Sequence, residues 1–149
     1  MVNSGLKHSP TEVYQEIWRL LEASRFDEYM QLFTDDCVMK FDATSEITGK
    51  DGTRQYFEGV MQMFPDIRHE VLSVIETPDS LAAEVRAVGT PSGPIPVGSR
   101  LVEAPAGPAV FTAVDLIWLR DGRVARWNAY YDRAEMWASL GITVEAARL

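Results

Sequence analysis

FTAVDLIWLRDGRVARWNAYYD, residues 111–132, holds the clearest supersecondary signal in the chain. Two runs of apolar and aromatic residues, FTAVDLIWL and VARWNAYYD, flank Arg120-Asp121-Gly122-Arg123, a turn of the kind that joins antiparallel strands. The spacing predicts a hairpin. Asp115 stands in the middle of its first strand, and a carboxylate among such neighbours must be exposed, paired or partly desolvated. If Asp115 faces inward it shares its side with Phe111, Ala113 and Ile117. On the opposite parity Val114, Leu116 and Trp118 form the buried face and Asp115 meets solvent or a dimer interface. Both faces are apolar, so the strand by itself leaves the two open.

Upstream, Ser9 or Thr11 starts a helix through PTEVYQEIWRLLEAS, with Pro10 in its first turn and Val13, Ile17, Leu20 and Leu21 at helical spacing. FDEYMQLFT reads as a second helix turning Phe26, Tyr29, Met30 and Phe33 to a core. CVMKFDA reads as a short strand, and GKDGTRQYFEGVMQMF as a third helix entered through Gly49 and Gly52. Beyond Pro65-Asp66, RHEVLSVIET and SLAAEVRAVGT are two strands joined at Pro78-Asp79. Residues 91–109, PSGPIPVGSRLVEAPAGPA, hold five of the eight prolines and read as a long connection with an extended piece around Ser99 to Glu103. RAEMWASLGI reads as a last helical turn or two. Three helices followed by strands is an α+β plan, in which a curved antiparallel sheet wrapped around the helices would enclose a pocket. Residues 11–142 are expected to form this single domain, with tails at 1–10 and 143–149.

At 149 residues the chain suits one domain with a sizeable core. A formal net charge of −8 without a basic stripe argues against nucleic acid as a partner. One cysteine, Cys37, allows no intrachain disulfide, and His8 and His69 fit no metal motif, so neither metal nor cofactor is expected. No run approaches the length of a membrane span, and the expected location is the cytoplasm.

The order of these elements, and the strings LFTDDCVMKFD, GKDGTRQYF, FPDIRHEV and VDLIWLRDGRVARWNAYYD, resemble the nuclear transport factor 2-like superfamily. Within it they are most similar to the SnoaL-type polyketide cyclases and ketosteroid isomerases. The resemblance covers most of residues 12–140 and implies a cystatin-like roll with a conical pocket and a cofactor-independent acid/base enzyme of secondary metabolism. Its substrate would be a hydrophobic, oxygenated small molecule, a polyketide or terpenoid intermediate undergoing cyclisation, isomerisation or epoxide opening. Asp115 falls where ketosteroid isomerases carry the acid that hydrogen-bonds the developing oxyanion. Asp42 lies beside the place of their proton-abstracting aspartate, which aligns without a gap to Phe41. The pair would act with Asp42 as base and Asp115 as acid. The isomerases' helix-one tyrosine matches Ile17, and Tyr14 lies one turn earlier.

Trp127, Ala129 and Tyr131 should share the pocket face of the last strand. The expected lining is Trp18, Phe41, Phe57, Met61, Trp127 and Tyr131. His69 or Glu70 could assist Asp42, although a solvated surface suits each. Glu84 and Arg86 share one face and would form an ion pair on the surface or buried. The limonene-epoxide hydrolases use an Asp-Arg-Asp constellation, for which Glu84, Arg86 and Ala129 would be the counterparts, and the third carboxylate is missing. Two other readings stand beside the enzyme: a non-catalytic small-molecule-binding or dimerisation module, and an epoxide hydrolase. The superfamily also implies a homodimer through the sheet.

Overall fold

The computed structural model describes residues 8–41, 45–103 and 107–142. Asp42, the tail residues 1–7 and the expected tail 143–149 lie outside the described residues. Helix α1 (Pro10–Glu22) starts at a capping box: Ser9 Oγ accepts from the Glu12 amide at 3.2 Å, and the Ser9 amide donates to Glu12 Oε2 at 2.8 Å. It buries Val13, Tyr14, Ile17, Trp18, Leu20 and Leu21, the apolar stripe of its sequence. At its end the Ser24 amide donates to the Leu21 carbonyl and the Arg25 amide to that of Leu20, a Schellman stop with Ser24 at φ 55°. The chain reverses there into α2 (Phe26–Gln31), which delivers Tyr29 and Met30 to the core.

Strand β1 (Phe33–Lys40) and the two-residue β2 (Ile47–Thr48) lead to α3 (Gly49–Met63). Then come β3 (Arg68–Glu76), β4 (Ser80–Gly89), a small hairpin of β5 (Ile95–Val97) with β6 (Arg100–Val102), the long β7 (Ala109–Arg120) and β8 (Arg123–Tyr131). Helix α4 (Arg133–Ser139) follows, capped by Asp132, whose carboxylate accepts from the Glu135 amide. The main sheet runs β2-β1-β8-β7-β4-β3. Every neighbouring pair is antiparallel except β1 and β8, which run parallel, so the sheet is mixed and not wholly antiparallel as expected. The expected hairpin is β7–β8, and the proline-rich connection holds a hairpin of its own.

Alternation in β4 shows which face is which. Leu81, Ala83, Val85, Ala87 and Gly89 are buried against the helices, while Glu84 and Arg86 are exposed. A bulge between Val71 and Ser73 lets β3 bend around the helices while His69 and Val71 before it, and Val74 after it, stay turned inward. Ala83 pairs with Asp115 on β7, and residues paired across neighbouring strands point to the same face. Asp115 therefore points inward with Ala83, among the apolar neighbours of the first parity.

Gly89 ends β4 where the turn after α3 folds back on it. A Cβ there would lie 3.1 Å from Phe64 Cβ, 3.2 Å from Ile67 Cβ and 3.3 Å from Ile67 Cα. Gly89→Ala is expected to destabilise the fold by about 1–3 kcal/mol through overpacking, measured by urea denaturation. An unchanged midpoint would mean that the Phe64–Ile67 turn yields freely.

Candidate active site

Between the concave face of the sheet and the helices lies a cavity of about 440 Å³. Aromatic side chains dominate its wall. Phe41 stacks on Tyr56 with ring centroids 4.4 Å apart and 2° between planes, and meets Trp127 edge to face at 5.5 Å. Phe57 and Trp18 each approach Trp127 at 5.4 Å. The expected lining residues Trp18, Phe41, Phe57, Trp127 and Tyr131 all border the cavity, as does Ala129. Met61 does not. It is buried on α3 away from the cavity wall, and Val60, Met63 and Phe64 near it in sequence reach the cavity instead. Sequence spacing gave Met61 the same helix face as Phe57, since four residues separate them; the cavity occupies only part of that face.

Asp115 borders the cavity and is 2% exposed. Its Oδ2 accepts from the Tyr14 hydroxyl at 2.6 Å, and its Oδ1 accepts from the Trp127 indole N–H at 2.9 Å. Tyr14 thus reaches Asp115 from one turn before Ile17, the place at which the resemblance sought a tyrosine. Burial pushes the Asp115 carboxyl up from 3.8 to about 6, against the opposing pull of the two hydrogen bonds. Burial, with the Asp115 charge beside it, lifts the Tyr14 phenol far above its usual range, so Tyr14 stays a donor. Each carboxylate oxygen keeps a further lone pair beyond its fixed donor. The arrangement is a carboxyl poised to change protonation near neutral pH inside an apolar wall.

His69 also borders the cavity, and its side chain is 7% exposed, which corrects the expectation of a solvated histidine. Its ring lies on Trp18 with centroids 3.8 Å apart and planes within 12°. Glu22 holds it from behind: Oε1 accepts from the His69 amide at 2.7 Å and lies 3.1 Å from Nδ1. Burial pulls the His69 pKa below its ordinary value, although Glu22 works in the other direction. Burial pushes the Glu22 carboxyl up, but the hydrogen bonds from His69 outweigh it and leave Glu22 below the usual range.

Glu70, Glu84 and Arg86 take no part in the cavity; all three are exposed on the outer face of the sheet. Arg86 faces Glu70 across the strands at 3.6 Å, and Glu84 accepts from the Ser73 hydroxyl, so the expected Glu84–Arg86 pair does not form. Cross-strand partners lie closer than residues two apart on one strand. Sequence reasoning missed Glu22, which sits four residues after Trp18 and therefore on the same helix face. It also missed the rim: Ile95, Pro96 and Gly98 from the small hairpin, and Arg133, Met136 and Trp137 from α4. Arg133 donates to the Tyr131 hydroxyl at 3.2 Å and lies over that ring. The neighbouring carboxylates are engaged elsewhere, Asp132 on the Glu135 amide and Glu135 on Thr112.

Among the described residues, no cluster of three or more metal-ligating side chains occurs, and no helix is long and apolar enough to cross a membrane.

The chain belongs to the SnoaL-like domain family, which matches it over residues 14–127. The architecture is nuclear transport factor 2-like. A protein of Jannaschia sp. CCS1 assigned to the SnoaL-like polyketide cyclases superposes with a TM-score of 0.77 at 16% identity, over 100% of this chain and 99% of its own. A Catenulispora acidiphila protein with a ketosteroid isomerase-like fold, solved in complex with trimethylamine, gives 0.75 at 16% identity over 93% and 98%. An M. tuberculosis LEH-like epoxide hydrolase gives 0.68 at 16% identity, over 86% of each chain. No curated protein matches by sequence.

Asp115 ties stability to pH with a definite sign. Its folded-state pKa of about 6 lies above the unfolded value near 3.8, so its contribution is fully present below that value and is lost as pH rises through 6. The stability of the wild type relative to Asp115→Asn should fall by about 2–3 kcal/mol between about pH 4 and pH 7; denaturation series on both proteins measure it. A flat difference would show a carboxyl with an ordinary pKa. Tyr14→Phe removes one donor to the carboxylate and should move the Asp115 titration further up, read from its carboxyl carbon by NMR.

Proposed function

We propose that this protein is a cofactor-independent acid/base enzyme that rearranges a hydrophobic, oxygenated small molecule with an aromatic or polyketide skeleton, by cyclisation or isomerisation. The observation that carries this reading is Asp115: a carboxyl 2% exposed, bordering an aromatic cavity, with a pKa of about 6 and two fixed donors. Protonated, it can donate to a carbonyl oxygen as negative charge develops there. Ionised, it takes that proton back. At a carboxyl this deeply buried both exchanges are stronger than in bulk solvent. Tyr14 and Trp127 keep the carboxylate in one orientation. Asp42, the sequence candidate for a base, follows directly on the lining residue Phe41, and we keep it as a proposed second carboxylate of the site. Arg133 at the rim suits a substrate carrying an oxygen-rich or anionic group at its outer end.

The family resemblance supports the same class of chemistry, since the superposed proteins include one assigned to the polyketide cyclases. Epoxide hydrolysis by a trio at Glu84, Arg86 and Ala129 finds no support, because the first two lie on the opposite face of the sheet. A second reading, a binding or dimerisation module, has an observation of its own. Val114, Trp118 and Tyr130 are 43%, 40% and 56% exposed on the outer face of β7 and β8, an apolar surface that suits a homodimer.

Deuterium uptake at the enolisable carbon of an aromatic β-keto ester, followed by NMR, separates these readings. The wild type is expected to accelerate exchange, and Asp115→Asn to lower the rate by about 100-fold or more while binding of the ester persists. No acceleration over buffer by either protein, with the ester bound, would favour the binding module.

A further inference from the structure

Besides Asp115, His69 is a buried titratable group that borders the cavity with its geometry fixed by a partner. His69 is clamped on three sides: Trp18 covers one ring face, Glu22 Oε1 sits 3.1 Å from Nδ1, and the same oxygen holds the His69 amide at 2.7 Å. A carboxylate can only accept, so Nδ1 carries the hydrogen, and in the neutral ring Nε2 keeps its lone pair. A surface ion pair would not need this construction. Trp18 also meets Tyr14 edge to face at 5.5 Å and Trp127 at 5.4 Å, the two residues that hold Asp115. One indole therefore stands between the histidine and the aspartate, and both open on the same cavity.

We propose that His69, positioned by Glu22, is the second proton-transfer group of this cavity and takes a proton from substrate carbon while Asp115 serves oxygen. The inference rests on the acid/base reading above and names its base among the described residues. In the step it implies, the bond between hydrogen and the carbon next to a carbonyl breaks, and its proton goes to His69 Nε2. The electron pair left behind forms an enolate. For cyclisation, the enolate carbon bonds to a second carbonyl carbon of the same molecule, and the resulting alkoxide takes the proton of Asp115. Transfer of the His69 proton to the Asp115 carboxylate through solvent restores both groups, so the product is an isomer of the substrate. Glu22 is a positioning residue here. Its charge faces the imidazolium that forms, as in the general logic of a base oriented by a carboxylate.

The charged groups around His69 are Glu22 from α1 and Arg68 beside it on β3, whose Nε lies 3.9 Å from Glu22 Oε2; β4 presents Ala87 opposite. Burial and Arg68 favour the neutral ring, which is the form that accepts a proton, and Glu22 opposes them.

The test uses nitrobenzisoxazole, an aromatic probe whose ring opening needs only a base in an apolar site and is followed by absorbance. The wild type should accelerate it over buffer, and His69→Gln should lose about 100-fold or more. Glu22→Gln should move the acidic limb of the pH profile to lower pH, because the charge that favours imidazolium is gone; a purely structural role would lower the rate without moving the limb. Proton-nitrogen correlation NMR on the wild type gives a reading independent of folding in the variants, and hydrogen on Nδ1 with a bare Nε2 is expected. Hydrogen on Nε2 in the neutral ring, no wild-type acceleration, or His69→Gln reacting as fast as wild type would each overturn the proposal. If Asp115→Asn alone abolished the reaction, the acid/base reading would stand and the assignment of His69 as base would fall.

Discussion

A carboxyl group sits in the wall of a hydrophobic cavity, and the fold is arranged so that it can stay there. Among the described residues Asp115 accepts from two donors, Tyr14 from the first helix and Trp127 from the neighbouring strand, and both are themselves buried. Without them the charge would be unpaired in an apolar site, a state that costs several kcal/mol or forces neutrality. With them the cost is partly offset, and the carboxyl titrates close to neutral pH. Helix position, strand register and cavity chemistry therefore converge on a single contact pair. The β7–β8 register brings Ile117 opposite Trp127 and Asp115 opposite Ala129, which lets the indole reach along the strand to the carboxylate.

The cavity divides its labour between shape and charge. Aromatic rings from α3, β8 and the stretch after β1 form a wall that accommodates a flat, apolar skeleton, and few polar groups interrupt it. Those that do come from different elements: Asp115 from β7, His69 from β3 and Arg133 from α4. Each combines its polar group with a fixed aromatic neighbour: Asp115 with Tyr14 and Trp127, His69 with Trp18, Arg133 with Tyr131. That combination limits rotamer freedom, and fixed orientation is what separates a catalytic dipole from a solvated side chain.

Much of the fold was legible in the sequence because it is written in local patterns. The Ser9 cap, the apolar stripe of α1 and the turn at residues 120–123 each declare themselves within a few residues. The inward side of Asp115 was not legible from β7, where both faces are apolar. It becomes so only through β4, whose charged Glu84 and Arg86 mark the outer side and whose Ala83 pairs with Asp115. His69 follows the same lesson. A lone histidine on a strand looks like surface until α1 brings Trp18 and Glu22 across it, and no spacing within β3 announces that meeting. Met61 failed in the other direction, since helical spacing reports a buried face but not where on that face a void lies. Asp42 lies outside the described residues, so its side of the site rests on the sequence alone.

The bond between Tyr14 and Asp115 spans 101 residues of chain. A ribosome adding about 5–20 residues per second releases the helix on the order of ten seconds before the strand that completes the contact. During that interval the apolar face of α1 has neither its polar partner nor most of the sheet that will cover it. Early collapse must leave Tyr14 reachable, and the aspartate settles only when β7 docks. The same contact that tunes the carboxyl is thus a late event in the birth of the molecule. Newly made chains should need shielding of their first helix for longer than their modest size suggests.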